Sequence, residues 1–148
     1  MKFGRIALAL LLAGCSRHRA GNIAESVGSL EMRRQVWEAI GPLAERGHLD
    51  PLFVYAIAKA ESNFEPRAVR GEARGLMQIK PRAWRAVTNV PYEAGVWTWR
   101  SNLAVGIDVL ASMKGDLEKR HAFSYPVLWA CYHYGFEFVS SRGFDMSR

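Results

Sequence analysis

The sequence predicts an all-α fold, and three observations predict it. Five segments carry apolar residues at helical spacing between clear start and stop signals. No stretch alternates apolar with polar residues as a half-buried strand would, so only a small strand region in the loop after the second helix would make the fold α+β. The chain has 148 residues, 49% apolar and 23% charged, which is enough for one packed domain and too little for two. Its two cysteines, Cys15 and Cys131, cannot form a disulfide framework, so packing has to hold the core.

The elements follow in chain order. From Leu30 to Arg46 the residues Leu30, Val36, Trp37, Ile40 and Leu43 mark one face of a first helix, with Gly47 as its stop. Asp50-Pro51 is an N-cap oxygen followed by a proline at the first helical position, and it opens a second helix to about Glu61. Pro66 shows that this helix has ended, and a loop runs from Ser62 to Ile79. Pro81 opens a short third helix carrying Trp84, followed by a connection that holds Pro91, Gly95, Trp97 and Trp99. Ser101 or Asn102 is expected to cap a fourth helix, with Leu103, Ile107, Leu110 and Met113 on its inner stripe and Asp108 and Ser112 outside. A fifth starts near Ser124 and closes at Gly135, apolar on nearly every side, as a buried central helix would be.

Ahead of these elements lies a different kind of segment. Lys2 and Arg5 precede an apolar run from Ile6 to Ala13 that is far too short to span a bilayer, which reads as a signal peptide. It ends in Leu12-Ala13-Gly14-Cys15, which resembles a bacterial lipobox. The resemblance implies cleavage after residue 14, acylation of Cys15, a polar tether over 15–28 and a domain over 29–148. Losing Lys2 and Arg5 would take the formal charge from +6 to +4. That charge suits nucleic acid, an anionic membrane or a cell wall without choosing among them. Ser16 after the cysteine is similar to lipoproteins sorted to an outer membrane, which implies a lipid-anchored protein of the cell envelope facing the periplasm.

On a helical wheel Glu61 falls between Val54 and Ile57, on the apolar face of the second helix, while Lys59 points the other way. Desolvation and the carbonyl end of the helix should both raise its pKa, as a general acid requires. Pairing with Arg67 or Arg70, or fraying at the helix end, is the alternative.

Glu61-Ser62-Asn63-Phe64-Glu65-Pro66 followed by Gly75-Leu76-Met77-Gln78-Ile79 resembles the Glu-Ser and Gly-Leu-Met-Gln motifs of the soluble lytic transglycosylase family, within the lysozyme-like superfamily. Tyr132-His133-Tyr134-Gly135 resembles the family's Tyr-Asn-Ala-Gly, and Asn102 its later Asn-containing helix start, which makes His133 and Asn102 candidate sugar-binding residues. The resemblance spans about Leu30 to Val139. It implies a lysozyme-like helical domain that cuts peptidoglycan glycan strands between N-acetylmuramic acid and N-acetylglucosamine, with Glu61 as the single acid and base and no cofactor or metal. The nucleophile would be the sugar's own 6-hydroxyl, closing a 1,6-anhydro ring. Carried over, Ser62 would bond the sugar or the glutamate, and Met77 and Gln78 would line the cleft opposite Glu61. Gly75 would let the loop pack beside the sugar chain, and Tyr132 would hold Glu61 through its phenol.

Two departures from the family pattern stand out. The segment from Ala68 to Gly75 is one residue short and carries Glu72, a potential second carboxylate. Goose-type lysozymes, which share the fold, use an extra carboxylate in a comparable loop to activate water, so Glu72 keeps hydrolysis open; its plain reading is a solvated loop acid beside Arg70 and Arg74. His133 and Tyr134 replace asparagine and alanine, which unsettles that segment's role in sugar binding. Trp97 and Trp99, alternating in a loop, suit sugar faces or serve as anchors into the core. The four histidines show no metal-ligand spacing.

An inactive wall-binding lipoprotein is a competing reading that the intact Glu61-Ser62 pair argues against. A nucleic-acid binder would fit the arginines at 67, 70, 74, 82, 85 and 100, but export would separate it from nucleic acid, and muropeptide carboxylates would suit the same charge. Cys15→Ala is expected to move the protein from the membrane pellet to the soluble fraction, because one residue carries all the acyl anchoring.

Overall fold

The computed structural model describes residues 29–145; the apolar run, Cys15 and the tether lie outside the described residues. Contacts divide the chain between Gln35 and Val36. Of the first unit only residues 29–35 are described, the start of a helix on which Arg34 and then Gln35 hold the exposed Glu31 carboxyl down at about 2. Everything else described here belongs to the second unit.

The fold is all-α, with one two-stranded ribbon in a loop. Helix α1 covers residues 29–46, and within the second unit it buries Val36, Ile40 and Ala44, spaced four apart. The expected inner face is thereby corrected: Trp37 is half exposed and meets Tyr55 edge-on at 5.5 Å. The helix does stop before Gly47, but the left-handed residue is the next one, His48, whose turn lets Leu49 N–H reach the Ala44 carbonyl.

Helix α2, Pro51–Ser62, starts as expected: an Asp50 oxygen accepts from Leu52 N–H at 2.7 Å, and Pro51 takes the first position. Asn63 and Phe64 both adopt positive φ and turn the chain sharply away. For a ring as large as Phe64 that conformation is strained, and burial against Tyr55 holds it there.

The loop that follows is not wholly irregular. Strands β1, Val69–Arg70, and β2, Ala73–Arg74, pair antiparallel around Gly71-Glu72. Helix α3, Pro81–Val87, opens at its proline and buries Trp84, whose indole N–H donates to the Val90 carbonyl. The aromatic connection holds a further short helix, α4, Tyr92–Gly95, and Gly95 is needed there because a Cβ would lie 2.6 Å from the Trp84 ring. Helix α5, Trp99–Lys119, begins earlier than expected: Thr98 is its N-cap, so Ser101 and Asn102 lie inside its first turn. Leu103, Ile107 and Leu110 face inward with Asp108 and Ser112 outside, but Val105 and Val109 widen the buried stripe. Helix α6, Tyr125–Tyr134, is capped by the Ser124 hydroxyl, and α7, Phe136–Ser140, follows after Gly135 at φ 99°. α5 packs against α3 and α6, and α6 against α7. α6 buries Val127, Leu128, Ala130 and Cys131, yet it is not enclosed on all sides, since Tyr134 is 62% exposed.

Asn102 has a structural place rather than the sugar contact expected of it. Fully buried, its Oδ1 accepts from Met77 N–H at 2.7 Å, while Nδ2 donates to the carbonyls of Arg74 at 3.1 Å and Val96 at 3.0 Å. Gly75 does need positive φ and close approach, at φ 76°, but what approaches is this amide: a Cβ there would lie 2.3 Å from Nδ2. Met77, expected in the cleft, is fully buried against Gly106, where a Cβ would come within 2.7 Å of it. Asn102→Ala strands the buried Met77 N–H and Val96 carbonyl and takes one of two donors from the Arg74 carbonyl, which keeps Ile79 N–H, and it should cost at least about 2 kcal/mol in urea unfolding. Gly75→Ala should cost a similar amount in wild type. The double variant should fall short of the sum by about 1 kcal/mol or more, because removing the amide removes part of the clash.

Candidate active site

Glu61 lies in the last turn of α2 with only 6% of its surface exposed, the placement its helical register dictates. Its carboxylate has two cationic or potentially cationic neighbours. Arg70, from β1, brings a guanidinium nitrogen to 3.5 Å from Oε2 and donates with another to the Glu61 carbonyl at 3.2 Å. His133, from α6, brings Nδ1 to 3.2 Å from Oε1. The pairing with Arg70 weighed from the sequence is therefore present together with burial on the apolar face; the histidine neighbour follows from α6 running alongside α2 in the same direction, with the Phe53 and Tyr125 rings 4.6 Å apart near their starts and Glu61 and His133 at their ends.

Two cavities meet at this carboxylate. One of about 820 Å³ is walled by residues of α3, α5, α6 and α7; the other, of about 320 Å³, lies between the end of α2 and the ribbon. Glu61, Arg70 and Gln78 line both. Gln78 sits at φ 50° and is 8% exposed, with Nε2 donating to the carbonyls of Ala68 and Gly75. Those two acceptors fix which end of the amide is nitrogen, and they leave Oε1 buried with no hydrogen-bond partner.

Ser62 lines the smaller cavity, but its hydroxyl donates to the Leu76 carbonyl at 2.7 Å, tying the loop to α2. Tyr132 lines the larger cavity, and its phenol donates to the Met77 carbonyl at 2.7 Å rather than holding Glu61, as had been expected. Burial, and then the Glu61 charge, push that phenol well above the usual tyrosine range, so it remains a neutral donor.

The remaining candidates separate. Glu72 is exposed at the ribbon's turn and lines neither cavity. Trp97 and Trp99 line neither cavity; Trp97 donates to Glu93 at 3.1 Å, and the Arg100 guanidinium covers the Trp99 ring. The aromatic rim of the larger cavity is instead Tyr134, Phe136 and Phe138, on α6 and α7. The short α7 has no sequence signal of its own, although Tyr134, Phe136 and Phe138 crowded around the glycine stop could have marked it. Cys131 also lines this cavity, its thiol pushed up by burial. Among the described residues no group of three or more His, Cys, Asp or Glu is placed to hold a metal.

A small helical domain with a buried glutamate where two halves of a groove meet belongs to the class of enzymes that cut polysaccharide chains. The family comparison makes the class specific: the model described as transglycosylase SLT domain matches residues 38–143, and the chain belongs to that family. Its members are lytic transglycosylases acting on peptidoglycan, with the all-α lysozyme-like fold seen here. No curated protein and no solved structure gives a significant match.

Proposed function

We propose that the chain is a peptidoglycan lytic transglycosylase that cleaves the β-1,4 bond between N-acetylmuramic acid and N-acetylglucosamine, with Glu61 as its only acid and base. The observation that carries this reading is the position of Glu61: a buried carboxylate with groove on both sides of it, which a glycan cut within its length requires.

Protonated Glu61 gives its proton to the leaving O4 as the C1–O4 bond breaks. The resulting carboxylate takes the proton from the muramic 6-hydroxyl as C1–O6 forms, which restores Glu61 and leaves a 1,6-anhydro end. Because the nucleophile belongs to the bound sugar, its effective concentration reaches about 10⁵ M or more, and no second carboxylate is needed to hold water. The placement of Glu72 supports this route over the hydrolytic alternative. Gln78 lines both cavities beside Glu61, and the Tyr134, Phe136 and Phe138 rim offers flat faces for sugar rings. In this reading the domain is held at the envelope by acylated Cys15, on the periplasmic face of the outer membrane.

Glu61→Gln keeps the shape and removes the transferable proton, so release of muropeptides from purified sacculi should fall below about one per cent of wild type. Mass spectrometry of the wild-type products should give ends one water lighter than hydrolysed ends. Hydrated ends that vanish with Glu72→Ala would make the protein a lysozyme-type hydrolase, and no release at all would make it a wall binder.

A further inference from the structure

We propose that His133 is the positioning residue of Glu61: its Nδ1–H donates to Oε1, leaving Oε2 to carry the reacting proton, and the site works with the imidazole neutral. The proposal rests on Glu61 being the acid of the reaction above.

The geometry that carries it is the way the ring is held. Trp129, one turn earlier on α6, stacks on the imidazole at 4.9 Å with 30° between planes, and Tyr134 meets it edge-on at 4.8 Å and 88°. These contacts fix the ring plane and so the direction of Nδ1, which lies 3.2 Å from Oε1. The other partner of the carboxylate is less constrained. Arg70 comes from a two-residue strand and its side chain is 63% exposed, so an incoming sugar can displace it, whereas the His133 side chain, 36% exposed, is backed by the Trp129 ring.

The charged and titratable groups around the pair come from every neighbouring element. The ribbon supplies Arg70, and α6 supplies Tyr132, held neutral, and Cys131; the wall of the larger cavity carries Lys80 and the Arg82–Glu137 pair, and Lys59 of α2 and Glu65 of the following loop line the smaller one. Among the described residues only His133 both touches the carboxylate and can change charge beside it.

At the corresponding place the family motif has asparagine, which also donates N–H but cannot become a cation. For Glu61 to act as the acid beside a neutral His133, the one proton of the pair has to be on Glu61. A second proton makes an imidazolium 3.2 Å from Oε1. That charge opposes the positive charge developing on the sugar, and it weakens the carboxylate as the base that must take the 6-hydroxyl proton.

The test is kcat and KM against pH on soluble glycan strands for wild type, His133→Ala and His133→Asn, with circular dichroism on each. Wild-type kcat should level off and fall towards acid. H133A should lose about tenfold or more in kcat with KM within about twofold. H133N should recover most of that loss, and its kcat should keep rising with falling pH where wild type has turned over. A folded H133A with wild-type kcat and pH profile, or an H133N that keeps the wild-type acid limb, overturns the proposal. If E61Q is inactive while H133A matches wild type, only the role of His133 fails; if E61Q is active, the reading of Glu61 fails first.

Discussion

The amide of Asn102 makes three hydrogen bonds inside the core, to Met77 N–H and to the carbonyls of Arg74 and Val96, and the geometry around Glu61 depends on them. The segment from Gly75 to Gln78 has positive φ at both ends and no ladder to join, yet it is buried, so each of its backbone groups needs a partner. The backbone pairs Gly75 N–H with the Ala68 carbonyl and Gln78 N–H with the Gly75 carbonyl, and side chains supply the rest. Asn102 takes the Met77 N–H, Tyr132 the Met77 carbonyl, Ser62 the Leu76 carbonyl and Gln78 the Gly75 carbonyl. Helices α2, α5 and α6 are thereby tied to one loop, and the loop closes the groove over the carboxylate. Polar residues that read as sugar contacts in a motif are, in large part, what gives the motif its shape.

The same arrangement explains which parts were legible in the sequence. Helix starts at Asp50-Pro51, Pro81 and Ser124 have local causes, an oxygen cap or a proline at the first turn, and they appear where expected. The inward position of Glu61 follows from the 100° step of α2 alone. The start of α5 was misplaced because Ser101 and Asn102 look like caps, whereas Asn102 is used three residues into the helix for partners 25 and 28 positions away. No local pattern encodes such a contact. Gly75 was legible as a backbone requirement, but its cause, the amide packed against it, is tertiary. Met77 was misplaced for a related reason: a methionine beside a glutamine in a cleft motif looks exposed, and only the glycine at 106 opposite it shows the space it fills.

The aromatic residues give the sharper case. Trp97 and Trp99 are spaced like a sugar platform, but Glu93 takes the indole N–H of one and Arg100 covers the face of the other, so both are occupied by neighbours close in sequence. Tyr134 is 62% exposed and Phe138 48%. They become a rim only because Gly135, at φ 99°, turns α6 into α7 within one residue and brings both helices to the same side of the cavity. The substitution of tyrosine for alanine at 134 thus builds surface where a smaller residue would leave groove.

Two groups that carry or can carry positive charge stand at the buried Glu61 carboxyl, Arg70 and His133. The two cations differ in what controls them. Arg70 is always charged, so only displacement removes its influence, and its exposure on a short ribbon permits that. His133 is pinned by two rings, so only loss of its proton removes its charge, and the hydrogen bond remains when the charge has gone. On the proposed reaction, a strand entering the groove pushes aside the first cation and finds the second already neutral. The buried carboxyl is then left with one fixed hydrogen bond, from His133 to Oε1, and Oε2 faces the glycosidic oxygen.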